Sequence, residues 1–97
     1  MKASLGNEAI EDLRAAVDWY LTQGAGSAAD AFVDDVERSM QLVLRHPRIG
    51  KPGVAGTRSF RLHTFPHSLV YRVVGDVVRI IAVAAHHRRP GYWLGRR

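Results

Sequence analysis

The stretch SLVYRVVGDVVRIIAVAA, Ser68 to Ala85, decides the fold. Two runs rich in β-branched and aromatic residues flank the pair Gly75-Asp76, and both residues of that pair tolerate the positive φ found in two-residue hairpin turns. The reading predicts strands over 68–74 and 77–85, with Val74 opposite Val77 and Arg72 opposite Arg79. Alternation then puts Val70, Val74, Val77 and Ile81 on the face of the two arginines, and Leu69, Tyr71, Val73, Val78, Ile80 and Ala82 on the other. The second set is the more continuously apolar and should meet whatever covers the sheet. Like charges directly opposite each other cost about 0.2–1 kcal/mol. Arg72 and Arg79 therefore either splay into water or hold an anion, a carboxylate or a phosphate.

Upstream, TRSFRLHTF supplies a third strand before Pro66. The cover comes from the first half of the chain. Ile10, Leu13, Val17, Tyr20 and Leu21 recur at helical spacing from about residue 8 to 22, with Asn7 placed to cap the start. After TQGAGS, where Ser27 and Asp30 suggest a capping arrangement, Ala29, Phe32, Val36, Met40, Val43 and Leu44 carry a second helix to about 45, stopped by Pro47. The expected architecture is α+β: an N-terminal helical hairpin on one face of a small antiparallel sheet of three to four strands, with a short C-terminal tail. A strand over Lys2–Leu5 could add to an edge, but four residues make it a weak element.

Charge is unevenly distributed. Residues 1–45 hold four Lys or Arg against eight Asp or Glu, a net −4, whereas residues 46–97 hold ten against Asp76 alone, a net +9, together with all five histidines. A basic half is either a solvated surface or a binding face for something anionic. With no cysteine, disulfides and thiolate metal sites are excluded. No run of about 18 apolar residues suggests a membrane span, and MKASLGNEAIEDL turns acidic where a signal peptide would be apolar, so a cytoplasmic location is expected.

The chemistry concentrates in HHRRPGYW, His86 to Trp93. Adjacent histidines in a strand point to opposite faces and have no acidic neighbour, so no metal is expected there. No phosphate loop or nucleophile elbow is present, and no cofactor is expected. Histidine, arginine and tyrosine are nevertheless the side chains that metal-free RNA cleavage needs, as base, charge stabiliser and acid. Equally, Tyr92 and Trp93 can be anchors that pin a tail to the core.

The order of these features resembles the RelE/ParE superfamily of bacterial type II toxins. The resemblance is carried by DLRAAVDWY and AADAFVDDVERSMQLVLRHP, the Gly50 loop, Arg58, Leu62, Phe65 and Pro66 in RSFRLHTFPHSLVYRV, and IIAVAAHHRRPGYW. It spans nearly the whole chain and implies a single toxin domain over residues 1–97, neutralised by a cognate antitoxin that is ParD-like or similar.

The superfamily divides by target. RelE-like members are similar to ribosome-dependent ribonucleases that cut messenger RNA, and in their pattern an arginine stands immediately before LVY. Here that position is Ser68 and a second basic position is Ser59, leaving Arg61 with Arg88 and Tyr92. Losing one preorganised donor to developing charge costs about 2.7–4 kcal/mol in analogous sites. The resemblance therefore implies a ParE-like toxin of the plasmid-stabilisation type, which arrests growth by binding DNA gyrase. Arg58, Arg61, Arg72, Arg79, Arg88 and Arg89 are then the candidate contacts to target or antitoxin, and Tyr92 and Trp93 the tail anchors. The alternative is a RelE-like endoribonuclease acting on ribosome and mRNA through Arg61, His86, Arg88 and Tyr92, with His63 or His67 as further candidate groups.

Overall fold

The computed structural model describes residues 1–97. It contains β1 (Lys2–Leu5), α1 (Asn7–Thr22), α2 (Gly26–Arg45), β2 (Lys51–Pro52), β3 (Arg58–Arg61), β4 (His67–Val74) and β5 (Val77–Ala85), with a 3-10 turn at Val54–Gly56. The helical hairpin lies on one face of a five-stranded sheet in the order β1-β5-β4-β3-β2. Five strands exceed the expected three to four by the two-residue β2, and β1 runs parallel to β5, so the sheet is mixed where an antiparallel one was expected. The brief N-terminal strand forms because β5 offers it a complete partner, from Lys2 opposite Val77 to Leu5 opposite Ile80.

The helices start without the anticipated side-chain caps. Gly6 precedes α1 and Ala25 precedes α2, neither start has a side-chain cap, and Asn7 and Ser27 lie inside the first turns. Gly24, at φ +70°, turns the chain between them. Ala29, Phe32, Val36 and Val43 point inward from α2 and Ala9 from α1, meeting Leu62, Leu69, Tyr71, Val78, Ile80 and Val83. Tyr71 also pins the loop after α2. Its phenol donates to the Pro47 carbonyl at 2.7 Å and accepts the Gly50 N–H at 3.0 Å.

The β4–β5 hairpin has the expected register at its turn, with Val74 opposite Val77 and Arg72 opposite Arg79. Gly75 alone takes a positive φ, +61°, the pattern of a type II′ turn. Farther along, the register shifts: Tyr71 lies opposite Ile80 but Val70 opposite Ala82, so Ile81 is an extra residue on β5. This β-bulge reverses the alternation of everything after it. Val83 enters the helix-facing core, whereas Ala82, expected there, packs with Val70 and Ile81 on the opposite face under Trp93. Val73 keeps its predicted parity but lies beyond the helical cover and is 43% exposed.

Candidate functional site

Two groups of polar side chains flank β5. The first arises because β1 ends opposite Ile80, where the Gly6 N–H makes a last bond to the Ile80 carbonyl. From Ile81 onward that side of β5 has no strand neighbour, and backbone groups there need other partners. Asp12 on α1 supplies one, as its Oδ2 accepts the Val83 N–H at 3.1 Å. Arg96 from the tail supplies another, its Nη1 donating to the Ile81 carbonyl at 3.1 Å. Asp12 and Arg96 also bind each other, at 2.6 Å from Nη1 to Oδ2 and 3.3 Å from Nη2 to Oδ1. The tail is thus clamped over the bulge by a bidentate pair.

Tyr92 donates its hydroxyl to the same carboxylate at 3.2 Å. Burial, and then the Asp12 charge and hydrogen bond, leave its phenol pushed up to about 12. The Arg88 guanidinium stacks on the Tyr92 ring at 3.8 Å. On the sheet's open face Trp93 covers Val70, Ile81 and Ala82.

Arg72 and Arg79 neither splay into water nor wait empty for an anion. Arg72 donates to the carbonyls of Ala55 and Arg96, both at 3.0 Å. Arg79 donates to the Arg97 main-chain oxygen at 3.2 Å and to Ser4 Oγ at 2.7 Å. Main-chain oxygens of the tail take the place expected for the anion, and their negative charge offsets the repulsion of the cross-strand pair. Arg58 is similarly used internally, on the carbonyls of Arg48 and Gly50. Of the six arginines singled out in the sequence, Arg61, Arg88 and Arg89 are exposed and make no salt bridge.

The second group lies at the far end of the hairpin. Ser68 stands opposite Arg61 across β3 and β4, and its Oγ is 2.8 Å from His86 Nε2. Partial burial, followed by the Arg61 charge, lowers the His86 pKa against a hydrogen bond to the His67 carbonyl that raises it. The four candidates for ribonuclease chemistry therefore fall into two pairs, Arg61 with His86 and Arg88 with Tyr92, and Tyr92 is committed to Asp12. His63 is exposed; its backbone N–H, with those of Thr64 and Phe65, is held by Asp35 at 3.1, 2.8 and 3.3 Å.

Sequence reasoning misses Asp12, Asp35, Arg96 and the burial of His67. For Asp35 a signal exists: it falls on the inward stripe of α2, between Phe32 and Ser39 at helical spacing. Asp12 and Arg96 carry no such mark, because they are 84 residues apart and each reads alone as a solvated charge.

A groove of about 690 Å³ runs between α1 and the strand-free side of β5. Ala15, Ala16 and Trp19 form one wall, Val83 and Ala85 the other, and His67 closes an end.

Comparison with known proteins places this geometry. The model of the family described as "ParE toxin of type II toxin-antitoxin system, parDE" matches residues 4–90. A solved structure, "Chromosomal ParDE TA system from P. aeruginosa", superposes with a TM-score of 0.77 at 24% identity, covering 88% of this chain and 95% of that one. At that identity the likeness speaks to the fold. No curated protein sequence matches the chain. With the family's model spanning all but the first three and last seven residues, on a fold of matching architecture, the chain belongs to the ParE toxin family of parDE-type type II toxin-antitoxin systems.

Proposed function

We propose that this chain, as a single toxin domain in the cytoplasm, arrests growth by binding DNA gyrase without catalysing a covalent step, and that a ParD-like antitoxin encoded with it neutralises it. No helix is long and apolar enough to cross a membrane. The observation that carries the choice of binding over RNA cleavage is the state of Tyr92. Its hydroxyl is hydrogen-bonded to Asp12 and its pKa is pushed up to about 12, far from the range suited to proton transfer near neutral pH. Of the six candidate arginines, Arg61, Arg88 and Arg89 are the ones left exposed for the target.

The competing reading, a ribosome-dependent ribonuclease, draws on one specific arrangement, Arg61 beside the Ser68–His86 pair. Induction without antitoxin separates the two. Gyrase poisoning gives loss of supercoiling activity and a DNA damage response before any fall in protein synthesis. Early arrest of translation with cleaved messages, abolished by Arg61→Ala, would replace the gyrase reading with the ribonuclease one.

A further inference from the structure

The far end of the β4–β5 hairpin brings together a hydroxyl, an imidazole and a free cation. Ser68 Oγ lies 2.8 Å from His86 Nε2, and Ser68 stands opposite Arg61 across β3 and β4. The pair is open to solvent, where water would serve either group as well, so the bond adds little to stability. A serine hydroxyl within hydrogen-bond reach of an imidazole that a third group orients is, however, the arrangement that activates a nucleophile.

The orientation is built into the backbone. The His86 N–H donates to the Pro66 carbonyl at 2.9 Å and the Arg88 N–H returns to the Ala85 carbonyl at 3.1 Å, which holds His86 from both sides. Its ring also bonds the His67 carbonyl. A neutral imidazole carries one N–H, so with that proton given to the carbonyl, Nε2 faces Ser68 as an acceptor. Partial burial, and then the Arg61 charge, lower the His86 pKa, which keeps the ring mainly neutral at pH 7 and able to take a proton.

The β-bulge at Ile81 makes room beside the hydroxyl. In the register of the hairpin turn, where Arg72 faces Arg79, Ser68 would face Val83; the extra residue puts Ala84 there instead. A methyl thus stands where an isopropyl would, and Ala84 continues the apolar patch of Val70, Ile81 and Ala82 that Trp93 covers. Ser68 therefore has a small apolar shelf on its β5 side. On its β3 side is Arg61, exposed and without a salt bridge.

From this geometry we propose that Ser68 is a reactive serine, the acceptor of a short acyl group from an activated ester or thioester, with His86 as its base and Arg61 as the partner of the oxyanion. Ser68 Oγ attacks the acyl carbon while its proton passes to His86 Nε2, and the carbonyl electron pair moves onto oxygen, where Arg61 meets the charge. When the carbonyl re-forms, the bond from carbon to the leaving oxygen or sulfur breaks, and the leaving group takes the proton from His86. The products are O-acyl Ser68 and a free alcohol or thiol, and nothing else is consumed. Ala84 and the patch beside it take the acyl chain. This is a second property of the chain, separate from its action on gyrase.

The test uses the full chain with p-nitrophenyl acetate as the acyl donor. Release of p-nitrophenolate is followed by absorbance, and the acetyl group is located by mass spectrometry of the tryptic peptide from Leu62 to Arg72. The expected result is a stoichiometric burst with the acetyl group on Ser68. Ser68→Ala abolishes the burst, His86→Gln slows it about 100-fold or more, and Arg61→Gln slows it about tenfold, less than a buried donor would because the guanidinium is exposed. Ser59→Ala, on the same face but opposite Val70, is the control and keeps the wild-type rate. Circular dichroism verifies that each variant folds. The proposal is overturned if the acetyl group sits on lysines or the N-terminal amine, if Ser68→Ala reacts at an undiminished rate through His86, or if the wild type reacts no faster than imidazole mixed with a serine peptide. Each of these outcomes leaves the gyrase and antitoxin readings as they stand.

Discussion

Replacing Asp12 by alanine tests the clamp that holds the tail. The Asp12 side chain is 8% exposed and Arg96 14%, so the substitution strands a guanidinium in a site with little water, and it also leaves the Val83 N–H and the Tyr92 hydroxyl unpaired. Breaking one side of a buried ion pair costs about 3–5 kcal/mol. Two reliefs operate. Glu8 lies 3.3 Å from Arg96 Nε, and the tail can lift into solvent, so the lower end, about 3 kcal/mol, is expected. For a domain of this size that corresponds to a fall in Tm of roughly 12–24 °C. The decisive assay is a double-mutant cycle by urea unfolding with Asp12→Ala, Arg96→Ala and the pair, accompanied by trypsin cleavage after Arg88, the bond after Arg89 being protected by Pro90. Coupling above about 1.5 kcal/mol and faster cleavage of both single variants are expected. If Asp12→Ala costs under about 1 kcal/mol, or the two losses simply add, the clamp is not what holds the tail.

Asp35→Ala removes the acceptor of three backbone N–H groups in the turn before β4, and a loss of about 3 kcal/mol is expected in urea unfolding, with Asp35→Asn intermediate. Burial alone would raise the Asp35 pKa, but the three N–H groups and Arg38 outweigh it and hold the carboxyl below its usual value. Its contribution is therefore complete above the unfolded carboxyl pKa, near about 3.9, and is lost as pH falls through the folded one, so the Asn variant should flatten the acid limb of the stability curve. His67 acts at higher pH. Between its unfolded pKa of about 6.5 and its folded value of about 4 only the unfolded chain binds the proton, so stability is lost as the pH is lowered across that window, by up to about 1.4 kcal/mol per unit. His67→Phe should abolish that portion of the slope in pH-dependent melts. Gly50→Ala would put a methyl 2.6 Å from Tyr71 Oη and 2.8 Å from Cε1, and should cost about 2 kcal/mol by calorimetry.

Much of the fold is legible because the hairpin announces itself. Gly75-Asp76 sets the turn, the turn sets the register, and the register brings Arg72 opposite Arg79. Legibility ends at Ile81. Ile80, Ile81, Ala82 and Val83 are all apolar, so no polar side chain marks which face each takes, and a one-residue bulge leaves no trace in the pattern. β1 and β2 are missed or doubtful for a different reason: four and two residues carry too little periodicity to distinguish from loop. The candidate site is less legible still. Its residue types are visible in HHRRPGYW, yet their partners, Asp12 for Tyr92 and Ser68 for His86, come from other elements, and pairing across elements has no signature in spacing along one segment.

The parallel pairing of β1 with β5 has a consequence for the order in which the molecule is assembled during synthesis. The first strand to leave the ribosome has one strand neighbour, and that neighbour begins at Val77, while the Ile81 carbonyl on the same edge of β5 is met by Arg96. Contacts between chain segments this distant form late. The helices emerge early with their apolar stripes exposed, and the sheet that covers them is finished only near the end of translation. A nascent chain of this kind is incomplete for most of its synthesis, and the clamp between Asp12 and the tail shuts only once Arg96 has emerged.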